Sequence, residues 1–248
     1  MDLKPPRLDT PARPSEDHGD SDRLLYLRSY LLMRTVIGLI GVALPLALLL
    51  IDGLFLAGDM PRGSLSAYYH TGMRDVFVGS LCVIGLFLMT YMALHYNWDN
   101  VLSTVAGVAV LGVAMFPTGG NTPLTPLQER LGEKNVSTGH MVCAAIFILS
   151  LAAISFLFGR REGRRPDRTA EQQARGKLLH WVCGFAILAA VAYVLITKRL
   201  GRFDEHSLFY GETVAVLAFG VSWLMKGLEL GVLLRRTAPK PPAVTVAA

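Results

Sequence analysis

Residues 64–75, SLSAYYHTGMRD, lie between two long apolar runs and carry two serines, two tyrosines, a histidine, an arginine and an aspartate. Six of them, Ser66, Tyr68, Tyr69, His70, Arg74 and Asp75, are candidates for a polar site. His140 and Glu212, which sit in later apolar runs, complete the set. The arginine fork can hold a carboxylate through two hydrogen bonds, the phenols can donate or accept, and histidine can carry a proton near neutral pH. Glu212 lies in YGETVAVLAFG, and a carboxylate among small and apolar residues requires a partner, hydration or a proton. Arg74 is the expected partner, with Asp75 and His140 beside it and Tyr68 or Tyr69 supplying a hydroxyl. Plainer roles are also open. Asp75 can cap a helix, Arg74 can snorkel, and the tyrosines can belong to an interfacial aromatic belt. Asp52, followed by Gly53, can simply be hydrated.

The elements that must position these groups follow from composition. The 248 residues are 52% hydrophobic and 17% charged, whereas soluble domains carry about 25% charged residues. This excludes an ordinary soluble domain and points to a membrane protein. The net charge of +5 does not mark a nucleic-acid binder, because the arginines cluster beside apolar segments. Apolar runs long enough to cross a bilayer occur at 34–57, 75–96, 101–117, 139–159, 177–197 and 207–227. Spans must be helical, since lipid offers no partner to open backbone groups. The expected fold is therefore an all-α, six-helix transmembrane bundle over 34–236. Disordered cytoplasmic tails are expected at 1–33 and 237–248, and the first 22 residues have no apolar stretch for a signal peptide.

Orientation follows from lysine and arginine, which stay on the cytoplasmic side of short loops. With both termini inside, the inner segments hold 6, 0, 7 and 4 of these residues and the outer loops hold 2, 2 and 3, a bias of 17 to 7. All eight candidate residues then fall near the outer face of a cell membrane. Trp98, Trp181 and Trp223 fall at the inner interface as belt residues.

Other features read as ordinary. Cys82, Cys143 and Cys183 lie in apolar runs without metal-ligand spacing and are packing residues. His95, His180 and Lys226 anchor inner helix ends, and GRREGRRPDR is an orientation signal against anionic headgroups. Ser103, Ala106, Gly107 and Gly112 suit close helix packing. The connection TGGNTPLTPLQERLGEKNVST is long for helical neighbours and is expected to cover the polar cluster, with PLQERLG as a short helix.

The blocks SLSAYYHTGMRDVFVG, AGVAVLGVAMFPT, GHMVCAAIFILSL and ETVAVLAFGVSWLMKG together resemble an uncharacterised bacterial family of six-pass membrane proteins, over about residues 35–227. The resemblance implies fold and membrane location and draws attention to Ser66, Tyr68, Tyr69, Arg74, Asp75, His140 and Glu212; it implies no activity. The functional expectation is a membrane protein whose outer polar site binds a lipid headgroup or small ligand. A weaker resemblance gives an alternative. Ser66 and His70 form S-x-x-x-H, similar to part of the zinc site of the alkaline ceramidase and adiponectin-receptor superfamily, which implies a metal-dependent hydrolase of a lipid amide or ester. That reading needs His70, His140 and His206 to converge on one ion. The late H-x-x-x-H of that superfamily is replaced here by His206 and Tyr210.

Overall fold

A computed structural model describes residues 16–56, 61–90, 98–120, 123–202 and 204–237. Among these, the regular structure is helical: α1 (Glu16–Phe55), α2 (Arg74–Thr90), α3 (Trp98–Met115), α4 (Pro126–Leu131), α5 (Glu133–Glu162), α6 (Ala170–Arg199), α7 (Ser207–Thr237) and one 3-10 turn at Ser66–His70. Four helices are long and apolar enough to cross a membrane, through Arg28–Phe55, Glu133–Glu162, Ala170–Arg199 and Ser207–Leu228. The second and third expected runs overlap α2 and α3, which are shorter at 17 and 18 residues, and the last part of the second run, 91–96, lies outside the described residues.

Two helices begin well before the apolar runs expected for them, each for a local reason. α1 begins at Glu16, inside the tail expected to be disordered through residue 33. A helix satisfies its own backbone and can run past its apolar stretch into water, so an apolar run measures the span and not the helix. α6 begins at Ala170 because Thr169 and Gln172 form a reciprocal capping box ahead of the apolar run expected from 177. The same device at Thr125 and Gln128 starts α4, the short helix expected in PLQERLG. The C-terminal tail beyond Thr237 lies outside the described residues.

The six long helices pack as a closed ring in chain order, α1, α2, α3, α5, α6 and α7, with α7 returning against α1 in the most extensive contact. That contact is close because it is built on glycine. A Cβ on Gly41 would stand 2.9 Å from the Gly220 Cα, and a Cβ on Gly220 would stand 2.7 Å from the Gly41 carbonyl carbon. Gly85 and Gly107 play the same part between α2 and α3, where a Cβ on Gly107 would lie 2.7 Å from the Gly85 carbonyl oxygen. Ser103 and Ala106 are buried alongside, as expected.

The interior holds Ile37, Leu48, Ile84, Leu88, Leu151, Ile187 and Phe219, all fully buried. The outside is apolar too, with Leu32, Leu39, Leu46, Val182, Phe185 and Leu195 among its exposed side chains. A soluble bundle would turn charge outward at such positions. Apolar groups on both faces suit a bundle whose surroundings are lipid. Trp98 is exposed, but Trp223 is fully buried. It packs between Phe158 and Phe219 at centroid distances of 5.0 and 5.3 Å and so does not serve as the expected belt residue.

Candidate functional site

One end of the ring carries the 61–73 segment, α4 and the start of α7. Residues 61–73 fold into this end and do not hang outside it. Ser64 Oγ accepts the Ala67 N–H at 2.9 Å and the Ser64 carbonyl accepts it at 3.2 Å, which starts the 3-10 turn. Thr71 closes the turn by donating its hydroxyl to the Tyr68 carbonyl at 2.9 Å. Its Oγ1 also accepts the Met73 N–H at 3.0 Å at the approach to α2. Thr71 thus fixes the chain just ahead of α2, and Asp75 stands exposed in the first turn of that helix. Leu65, Ser66, Tyr68, Tyr69 and Met73 are all buried by this docking.

Three anchors hold the segment. On α1, the buried Asp52 accepts Arg62 Nε at 2.9 Å, so Asp52 is ion-paired where hydration is the sequence expectation. On α7, the Phe209 N–H donates to the Gly63 carbonyl at 3.1 Å, and one turn later Glu212 Oε2 accepts the Leu65 N–H at 2.7 Å. Beyond α3, His70 Nε2 lies 3.0 Å from the Thr118 carbonyl, which also accepts Gln128 Nε2 from α4 at 3.1 Å. The 118–138 connection thus closes over this end, as its length suggests.

The expected pairing of Arg74 with Glu212 does not occur. Arg74 donates to the Tyr69 hydroxyl at 2.8 Å, with its guanidinium 4.4 Å from that ring's centre, and is itself exposed. Glu212 meets a backbone N–H instead. The physical reason is the fold-back: the turn directs the Leu65 amide at α7, while Arg74 begins α2 next to Tyr69. His140 is also turned elsewhere, with Nδ1 2.7 Å from the Phe116 carbonyl. A carbonyl only accepts, so His140 Nδ1 and His70 Nε2 each carry the hydrogen. Tyr68 is fully buried with no hydrogen-bond partner for its hydroxyl. Burial pushes its pKa above the ordinary 10.0, outweighing the opposing pull of the nearby Arg62 backbone amide and guanidinium, with the Asp52 charge adding to the rise.

The three imidazoles required by the zinc reading do not converge. His70 and His140 are committed to two different carbonyls, and His206 lies by Glu205 and Tyr210. Among the described residues no group of three or more His, Cys, Asp or Glu is placed to hold a metal ion.

Glu212 borders two cavities. A small one of about 60 Å³ lies inside the ring, lined by Leu65, Ser66, Phe77, Ile84, Phe147 and Phe219 with others. A larger one of about 320 Å³ lies among α5, α6 and α7, lined by Met141, Ala145, Leu149, Ala190, Val194 and Ala215 with others. Ala144, Ile148 and Glu212 belong to both linings and form the wall between them.

A second buried polar cluster occupies the opposite end of the ring, and the sequence reading misses it. Glu162, at 1% side-chain exposure, is ion-paired with Lys226 of α7 and lies 3.4 Å from Arg165. Nearby, His180 Nδ1 meets Ser222 Oγ at 2.9 Å, and the Arg34 guanidinium lies 4.9 Å from the ring centres of both Tyr30 and Phe158. His180 and Lys226 are thus buried groups and not simple interface anchors. The available signals are a lone glutamate inside an arginine run and single cations, Arg34 and Lys226, inside apolar stretches. Comparison with protein-family models, with curated proteins and with solved structures finds no match to this chain.

Proposed function

We propose that this chain is a six-span membrane protein with both termini cytoplasmic, and that the site around Glu212, near the outer face, binds a lipid headgroup or small ligand. The observation that carries the reading is the position of Glu212. Its carboxylate is held by the Leu65 N–H of the docked segment and borders both cavities at once. Concave, mostly apolar sites with a few fixed polar groups are what small ligands occupy. α2 and α3 complete the count of six because they close the ring between α1 and α5. The 17 to 7 distribution of lysine and arginine supports the orientation.

Binding is favoured over passage of protons. Glu212 and Lys226 are 14 positions apart on α7, roughly 21 Å along a helix. Ser222, which meets His180, is the buried α7 hydroxyl on the Lys226 side, and the buried residues between it and Glu212, Ala215 and Phe219, carry no hydrogen-bonding side chain over about two turns of helix.

Two measurements test the proposal. Cysteines placed at Gly119 and Gly163 should label from outside intact cells at 119 only, and outside labelling at 163 would overturn the orientation. For the site, a panel of lipids differing only in headgroup should raise the melting temperature of the detergent-solubilised protein selectively. The selectivity should vanish in Glu212→Gln. A shift identical for every headgroup, or unaltered in the variant, would remove Glu212 from the site.

A further inference from the structure

The groove among α5, α6 and α7 is more specific than a gap between helices. Its lining is apolar except at one position, and that position is Glu212. The cations nearest in sequence to the docked segment are otherwise engaged, Arg62 with Asp52 and Arg74 with Tyr69, and neither lines the groove or the inner cavity. A ligand whose head is a carboxylate or phosphate would therefore meet the Glu212 carboxyl with no cation among the described residues that line either cavity. An ammonium head would favour the ionised carboxylate, pair with it and donate hydrogen bonds to its oxygens. The volume of about 320 Å³ stands at the lower end of small-ligand sites, which run from about 300 to 1,000 Å³. Along α5 the lining runs from Met141 to Leu149, about 12 Å of helix. These dimensions suit one alkyl chain and leave no room for a second.

We infer that this groove takes the chain of a single-chain amphiphile bearing an ammonium head, with the head held by Glu212. The inference rests on the reading of Glu212 as part of a ligand site and specifies the ligand class. The chain lies against Ala145, Leu149, Ala190 and Val194, small or flexible side chains that leave space between the helices. The head reaches the carboxylate at the wall shared with the inner cavity, and on the far side of that wall the Leu65 N–H of the docked segment holds the same carboxylate.

The test is photo-crosslinking of the full chain in dodecylmaltoside micelles with a diazirine-tagged dodecylamine, competed by dodecylamine, dodecanol or dodecanoate. Adducts are expected on α5, α6 and α7 at the groove. Dodecylamine should displace the probe at about one-tenth the concentration needed for the other two, the worth of roughly one additional charge-assisted contact. Glu212→Gln should abolish that preference, and Ala145→Trp, which fills the groove away from the docked segment, should abolish the adducts. Equal or better competition by dodecanoate, or a preference that survives in Glu212→Gln, would overturn the ammonium assignment. If all three competitors weaken together in Glu212→Gln, the ligand site stands and only the class is wrong. Absence of groove adducts together with a headgroup-independent thermal shift would refute both.

Discussion

Removing the Glu212 carboxylate should loosen the 61–73 segment, and the size of the loss can be worked out from one hydrogen bond. Leu65 is 4% exposed and its N–H donates to Glu212 Oε2 at 2.7 Å. A hydrogen bond to a charged group contributes about 1.5–3 kcal/mol, and a neutral one about 0.5–1.5 kcal/mol. Glu212→Gln keeps an acceptor and should lose about 1 kcal/mol, whereas Glu212→Ala leaves a buried N–H without a partner and should lose about 2–3 kcal/mol. For a chain of this size 1 kcal/mol moves the melting temperature by about 2–4 °C, so the alanine variant should melt about 4–12 °C lower. Tryptophan fluorescence during thermal unfolding in detergent is a suitable readout. Arg74 interacts with Tyr69 and not with Glu212, so Arg74→Ala and Glu212→Ala should be additive within about 0.5 kcal/mol. A coupling above about 1 kcal/mol, or equal losses in the glutamine and alanine variants, would refute the assignment of Leu65 as the carboxylate's partner.

At the opposite end, Glu162→Ala should cost about 3–5 kcal/mol, because it strips a buried carboxylate from Lys226 and Arg165. Glu162→Leu combined with Lys226→Met should recover most of that loss in the same melting assay. Gly220→Ala should cost at least about 1–3 kcal/mol, since its Cβ would meet α1 backbone atoms at 2.7 Å, whereas Gly79→Ala, with open space around it, should cost far less. Tyr68→Phe should be neutral or stabilising by up to about 1 kcal/mol, because the hydroxyl it removes is buried without a partner. The Tyr68 pKa is raised in the folded chain, so the unfolded chain loses its proton first and stability falls as pH climbs past 10.0. The phenylalanine variant should lack that contribution to alkaline unfolding, which melting curves between pH 9 and 11 would show.

Much of the scaffold is legible in the residues because it depends on short-range rules. Apolar runs locate the long helices, and the pattern Thr-Pro-Leu-Gln at 125–128 marks a helix start whatever surrounds it. The ring order and the identity of polar partners depend on how distant segments meet. Matching side chains by charge pairs Glu212 with Arg74, yet the group it meets is a backbone N–H exposed only when Ser64 starts a 3-10 turn. Asp52 likewise finds Arg62 because the segment folds back over the end of α1. The second polar cluster is hidden for a different reason. Charge counts treat an arginine-rich turn as solvated, and the lone glutamate of GRREGRRPDR does not by itself reveal that Glu162 faces inward toward α7 while its neighbours Arg160 and Arg161 are exposed.

The docking of residues 61–73 onto Glu212 is tested most directly by amide hydrogen exchange of that segment in the detergent-solubilised protein. The amides of Leu65, Ala67, Tyr68 and Thr71 all donate within the docked arrangement, so they should exchange slowly in the native chain. In Glu212→Ala the Leu65 amide should lose its protection first, while α5 and α6 keep theirs. Exchange across 61–73 as fast as in an open loop, or Leu65 protection unchanged by the substitution, would contradict the docking and the site built on it.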